Sequence, residues 1–214
     1  MTSPKYPRTY HLPWSPGGTN DDKRLERAGH LVAEPLTITE KLDGSNVCLE
    51  RDAVYARNHS GPPSHPSFDL LKQLHAQVRF CIPEGVQVFG EWLYAQHSIA
   101  YHELPNYLMI FGVRHLDPDY WASWEEVEVW ADELNVPTVP VVVQEKQFLS
   151  EDALREFTLR QVRPGREGVV VRLFDEFPDD QFHMSIAKFV RADHVQSDEH
   201  WSHREIVRNG LKKV

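Results

Sequence analysis

Short runs rich in apolar and β-branched residues punctuate this chain at a spacing that predicts strands first, helices in the middle and strands again. Leu36 to Glu40, Ser45 to Glu50 and Val54 to Arg57 read as three strands. The period changes between Phe68 and Phe80, where Phe68, Leu71, Leu74 and Val78 fall at helical spacing, after a loop at Gly61-Pro62-Pro63-Ser64-His65-Pro66. Val86 to Leu93 and Leu108 to Arg114 have the continuous apolar character of buried strands. Ser123-Trp124-Glu125-Glu126 is a capping box that opens an amphipathic helix to about Leu134, and Ser150 opens another through about Val162. After Arg163-Pro164-Gly165 come strands at Gly168 to Leu173 and Phe182 to Val190, then a terminal helix at Ser197 to Leu211.

Ahead of these elements lies a stretch rich in Pro, Gly and aromatics, Lys5 to Asn20, which predicts an ordered arm without regular structure. Asp21-Asp22 then lead a short helix from Lys23 to His30, with acidic residues where they suit the helix dipole. No repeat or low-complexity tract occurs. Connections are short enough for antiparallel pairing, so the predicted class is α+β, with antiparallel sheets flanked by helices, built as one domain over 1–214 with the arm and short helix in 1–35.

Composition narrows the function. No run approaches the roughly 18 to 20 apolar residues of a membrane span, and the N-terminus lacks the apolar core of a signal peptide, so a cytoplasmic protein is expected. Cys48 and Cys81 sit in apolar surroundings without a C-x-x-C pair and are expected as buried thiols. The twelve histidines include no H-E-x-x-H and read as surface and packing residues. The net charge of −9 argues against a nucleic-acid binder until its distribution is considered: residues 1–115, 116–159 and 160–214 carry −1, −9 and +1. The whole excess lies in the middle segment, which reads as a solvated acidic helical face.

Neither G-x-G-x-x-G nor the Walker motif is present, so nucleotide chemistry would need another device. One candidate is Lys41-Leu42-Asp43-Gly44, at the end of the first predicted strand. By itself the pattern arises by chance in about 5% of chains this long, and Asp43-Gly44 also suits a hairpin turn with a solvated lysine. Its company is more informative: Phe89-Gly90-Glu91-Trp92, Met109-Ile110-Phe111-Gly112-Val113, Glu167-Gly168-Val169-Val170-Val171-Arg172 and Ile186-Ala187-Lys188-Phe189-Val190-Arg191 follow in that order. A lysine amine is ordinarily protonated at neutral pH, so its use as a nucleophile needs a lowered pKa or a favourable neutral population, to which burial and a nearby cation, a metal or Lys188, would contribute.

This ordered set resembles the covalent nucleotidyltransferase superfamily of polynucleotide ligases and messenger-RNA capping enzymes, over about residues 36 to 192. Asn46, five residues after the lysine, together with Glu40 and with Arg57 in Tyr55-Ala56-Arg57-Asn58, resembles the branch typified by phage RNA ligase 2. The resemblance implies the ligase adenylation fold, akin to ATP-grasp, and an ATP-dependent RNA ligase that adenylates Lys41, transfers AMP to a 5′-phosphate and joins it to a 3′-hydroxyl. It implies Lys41 and Lys188 as catalytic residues, and Glu40, Lys41, Asn46, Arg57, Glu91, Phe111, Glu167 and Lys188 around the nucleotide. Phe111 would stack on adenine and Arg57 would meet the ribose or an acceptor phosphate. Asp43, Glu91 and Glu167 would hold Mg2+ or Mn2+ through waters. RNA ends, or a nicked duplex with a 5′-phosphate and 3′-hydroxyl, are the implied partners.

The chain departs from that branch at Ile186, where a second motif lysine would stand, leaving Arg191 or nothing in that role. About 23 residues follow the last strand, too few for an oligonucleotide-binding barrel or a helical C-terminal domain, so a bare catalytic domain is expected. Three other readings stay open: a nucleotide- or RNA-end-binding module that needs a protein partner to seal, a ligase of DNA or mixed nicks, and, disfavoured by Asn46, a capping-type guanylyltransferase.

Overall fold

The structure, a computed structural model, describes residues 5–18, 22–56, 62–161, 163–192 and 206–213. In chain order the strands and helices are β1 (Tyr10–His11), β2 (Leu36–Lys41), β3 (Ser45–Leu49), β4 (Val54–Ala56), α1 (Asp69–Val78), β5 (Val86–Trp92), β6 (Leu108–Leu116) and β7 (Asp119–Trp121). There follow α2 (Trp124–Glu133), β8 (Val141–Lys146), α3 (Glu151–Arg160), β9 (Gly168–Leu173), β10 (Phe177–Pro178), α4 (Phe182–Ser185) and β11 (Ile186–Val190).

Two sheets result, one ordered β1-β11-β9-β2-β8 and the other β10-β7-β6-β5-β3-β4. Every pairing is antiparallel except β1 with β11. Period-two alternation assigns the faces. In the first sheet Leu36, Ile38, Val169, Val171, Ala187 and Phe189 turn to an outer core shared with the arm and α3. The second sheet covers its outer face with α1 and α2, through Leu71, Trp124 and Val127. Between the sheets lies a third, aromatic core of Phe89, Trp121, Phe177 and Phe182 with Cys48 and Ile186. Burying each such ring contributes about 1.5–3 kcal/mol, so the sheets are held together by the surface that also forms the cleft floor.

The expected class is found, and the capping signals act as read. Ser123 accepts from Glu126 N–H at 3.2 Å and Ser150 from Ala153 N–H at 3.1 Å, each satisfying a donor orphaned at a helix start. Other expectations fail for tertiary reasons. Residues 23–30 form no helix: His11 N–H bonds Lys23 O and Leu25 N–H bonds His11 O, both at 2.8 Å, which draws this stretch into extended pairing beside β1. The arm is correspondingly more regular than expected, since Tyr10–His11 joins the sheet.

The strand predicted from Phe182 begins only at Ile186, because Pro178 and the Asp179–Gln181 turn lead into the short α4. Residues 197–205 of the predicted terminal helix lie outside the described residues. Residues 206–213 are extended, with Arg208 bridging Ala95 and Leu211 bridging Leu104. Asn209 pins this tail by donating to Leu93 O at 2.8 Å and accepting from Tyr101 N–H at 2.9 Å. Cys48 is buried as expected, but Cys81 is exposed, in the turn after α1. No described helix is long and apolar enough to cross a membrane.

Candidate active site

Register, rather than nearness in sequence, assembles the candidate residues. Lys41 stands opposite Gly168 in the β2–β9 pair, and Val170 stands opposite Lys188 in the β9–β11 pair. Because the alternate positions face the outer core, Thr37, Thr39, Lys41, Val170, Arg172, Ile186 and Lys188 line the cleft wall. Gly168 permits the close approach: a Cβ there would lie 1.8 Å from Phe189 O. From the second sheet, Asn46 stands opposite Glu91. Pairing then steps from Phe89↔Gly112 to Gly90↔Ile110, which leaves Phe111 as the extra residue of a β-bulge. Such bulges re-aim a side chain, and Phe111 belongs to the rings between the sheets.

Lys41-Leu42-Asp43-Gly44 is not a hairpin turn. It carries the chain from β2 of one sheet to β3 of the other, so the lysine ends one wall as the chain crosses to the next. Gly44 is needed for space, since a Cβ there would lie 2.7 Å from Trp92 O, and its N–H donates to Glu91 Oε1 at 2.9 Å. Asp43 Oδ2 accepts from Ser98 N–H at 2.8 Å, Ser98 Oγ at 2.6 Å and Ile99 N–H at 3.0 Å, while Asp43 N–H donates to Tyr101 Oη at 2.9 Å. His97 bridges the same corner, 4.0 Å from Asp43 Oδ1 and 3.4 Å from Ser45 Oγ. The motif and the 97–101 loop therefore hold each other.

Lys41 Nζ lies 2.7 Å from each oxygen of Glu167, whose side chain is almost fully buried. Burial favours the neutral amine, but the charges of Glu167, Glu91 and Asp43 and the Glu167 hydrogen bond outweigh it, and the Lys41 pKa stands above the ordinary lysine value. This corrects the expectation of a lowered pKa in the free protein. Burial pushes Glu91 up to about 8, against the pull of Lys41 and with the help of Glu167. Lys188 is paired with Asp22 Oδ1 at 3.1 Å; burial lowers its pKa, with Asp22 opposing and Lys41 adding to the shift.

Lys41, Asp43, Glu91, Glu167 and Lys188 thus share one electrostatic site, with Asn46 and Phe111 on the facing sheet. Glu40 does not point into it by alternation. It faces away from Lys41 and pairs with Arg166 at 3.3 Å, burial raising its pKa and Arg166 opposing. Arg57 lies outside the described residues. Ile186 is part of the inter-sheet core, and Arg191 N–H donates to the backbone carbonyl of Glu167 at 3.1 Å, tying the end of β11 to the backbone of the residue that holds Lys41. Among the described residues no three His, Cys, Asp or Glu form a ready-made metal cluster.

Several functional neighbours carry no sequence signal of their own. Tyr6 and Asp22 enter from the arm, and Tyr101 and His97 from a loop whose only hint was its polar content between strands. Arg172 is buried on the cleft wall, held by Leu173 O at 3.1 Å and Ala122 O at 2.5 Å, with burial pulling its pKa down to about 10. A surface hollow of about 600 Å3, lined by Pro13, Trp14, Ser150, Glu151, Asp152 and Arg155, contains none of these groups. The candidate residues lie in the side-chain-filled cleft instead.

A lysine closing one strand, carboxylates around it, a lysine on an adjacent strand and an aromatic bulge facing them across two antiparallel sheets define the nucleotidyltransferase fold of covalent ligases. Within that class the chain belongs to the RNA ligase family, whose model matches residues 34–190. No curated protein matches it significantly. Among solved structures it is similar to a Naegleria gruberi RNA ligase with pyrophosphate, at 17% identity and TM-score 0.54, covering 77% of this chain and 51% of that one. It is also similar to an archaeal ATP-dependent RNA ligase, at 14% identity and TM-score 0.53, covering 87% and 48%. A Naegleria gruberi RNA ligase E227A mutant with ATP and Mn matches at 16% identity and TM-score 0.52, covering 82% and 56%. The chain spans about half the length of these structures.

Proposed function

We propose that the protein is an ATP-dependent RNA ligase of the cytoplasm that works through a lysyl-adenylate at Lys41. The observation that carries this reading is Lys41 Nζ seated 2.7 Å from both Glu167 oxygens, in a cleft whose walls also supply Phe111 and Lys188. Lys41 attacks the α-phosphorus of ATP; its N–P bond forms as the bond to pyrophosphate breaks. The ammonium must first lose a proton, and Glu167 is the acceptor in contact. Phe111 stacks on the adenine, a contact worth about 1–3 kcal/mol by analogy with other base stacks. Lys188 offsets charge on the α-phosphate, and Asn46, facing the cleft beside Glu91, lies within the nucleotide's surroundings. AMP then passes from Lys41 to the 5′-phosphate of an RNA end, and a 3′-hydroxyl displaces it to form the phosphodiester.

Neighbouring structures described with ATP and Mn, or AMP and Mn, support ATP and a divalent metal. The donor set fits one. Glu167 and Asp43 set two carboxylates beside the Lys41 ammonium, Glu91 adds a carboxyl group that burial holds near pKa 8 and that a bound cation would ionise, and oxygen donors suit a hard ion. These three residues would hold Mg2+ or Mn2+ through retained waters. When bound, the ion offsets phosphate charge as the α-phosphorus reacts.

A second reading is an end-binding module that needs a protein partner to seal. Incubation with magnesium and α-labelled ATP or GTP separates the two. Label surviving denaturing electrophoresis is expected from ATP alone and lost in Lys41→Ala; no label from either nucleotide contradicts nucleotidyl transfer. Sealing of nicked RNA, DNA and mixed duplexes with a 5′-phosphate then tests joining and strand choice, and label without any sealing supports the partner-dependent reading.

A further inference from the structure

The N-terminal arm reaches into the same cleft. Tyr6 meets Phe111 edge-on at a centroid distance of 5.0 Å and is ringed by Phe89, Trp121 and Phe182 at 5.1–5.2 Å. Val170 and Leu173 of the opposite sheet belong to the same cluster, so the ring stands between the two walls. Its hydroxyl end lies in the field of Arg172 and Glu91. Nothing else about this segment resembles core. Residues 5–9 have no regular structure. Lys5 and Arg8 on either side are exposed. The described contacts of Tyr6 with the cleft are made by its ring.

A second contact comes from the same end of the chain. Asp22 places a carboxylate 3.1 Å from Lys188 Nζ and 3.5 Å from His11 Nε2. The backbone beside it, at Lys23 and Leu25, is fixed by bonds to His11, so the carboxylate is presented to Lys188 from an anchored segment. The arm thus sets an aromatic ring on Phe111 and an anion on Lys188, the chemistry of a base and a phosphate.

We propose that Tyr6 and Asp22 are nucleotide-site residues that occupy the base and phosphate positions in the free protein, and that ATP enters by displacing them. The inference rests on the reading of Phe111 and Lys188 given under Proposed function. An occupied site lowers apparent affinity by the fraction of molecules that are open, so the arm sets the ATP concentration at which the enzyme loads.

The test uses the wild-type protein with α,β-methylene ATP, which Lys41 cannot cleave to a lysyl-adenylate and pyrophosphate. Brief trypsin digestion read by intact mass follows cleavage after Lys5 and Arg8, while equilibrium dialysis of the same samples reports binding. Saturating analogue is expected to speed these cleavages, as Tyr6 leaves the cleft. Slower or unchanged cleavage with the analogue bound overturns the proposal, since the arm would then be a lid or a fixed wall while nucleotide binding stands. Absence of binding removes the functional reading and this inference with it. Tyr6→Ala, if its melting shows it folded, is expected to bind the analogue about three- to tenfold more tightly; weaker binding by a folded variant overturns the proposal.

Discussion

Lys41 is held as an ammonium in the free protein, and the group that holds it is the one placed to take its proton. Its ion pair with Glu167 keeps a buried charge compensated, at the cost of the nucleophile's readiness. Glu167→Gln keeps the shape but removes both the charge and a proton acceptor. Label formation from ATP is expected to fall about 100-fold or more, with the circular dichroism spectrum retained. His11 shows the opposite kind of control. Burial, aided by the charge of Lys188 and opposed by Asp22, pushes its pKa down to about 4, while Nδ1 pairs with Ser15 Oγ at 2.8 Å. The folded state therefore favours neutral His11: this stabilisation is present above the unfolded value near 6.5 and is lost as pH falls from there toward 4. Between pH 7 and 5 it accounts for about 2 kcal/mol, so urea unfolding of His11→Gln is expected to show a correspondingly flatter pH dependence over that range.

Strand pairing turns scattered residues into a site, and the tightest point is where β9 meets β11. Gly168→Ala would drive a Cβ into Phe189 O, at the position opposite Lys41 and next to Glu167. A loss of about 3 kcal/mol or more is expected, seen as a lowered melting midpoint or as insoluble protein, together with loss of label. Much at this scale was legible in the sequence. The strands carrying Lys41, Glu91, Phe111 and Lys188 stand where their apolar runs predict, and Ser123 and Ser150 cap the helices they announce. What was not legible depends on partners distant in the chain. Leu25 and Ala28 reach the outer core without a helix because His11 claims the backbone at Lys23 and Leu25. Tyr6, Asp22 and Tyr101 carry no local pattern that announces a cleft. The raised Lys41 pKa follows from three carboxylates brought from separate strands and turns, a balance that no window of sequence displays.

The acidic excess and the site occupy different parts of the molecule. Most of the segment that carries it forms α2, β8 and α3, which pack on outer faces or form a sheet edge; it gives the inter-sheet core only the uncharged Trp121, and the charged residues of the cleft come from the nearly neutral segments before and after it. An overall charge of −9 is thus compatible with phosphate chemistry between the sheets. Distant parts also stabilise the site. Asn209, in the tail, anchors Tyr101 and Leu93, and Tyr101 in turn receives the Asp43 N–H of the lysine motif. Asn209→Ala is expected to cost about 1–3 kcal/mol of stability. It should also slow label formation about tenfold at a temperature where the variant is folded, because it loosens the loop that positions the motif. The central claim, covalent transfer through one lysine, is tested most directly by intact mass and peptide mapping after incubation with ATP and magnesium. A gain of one AMP located on Lys41, reversed by added pyrophosphate, is the predicted result. A protein that stays unmodified, or carries AMP on another residue in the presence of an intact Lys41, would contradict it.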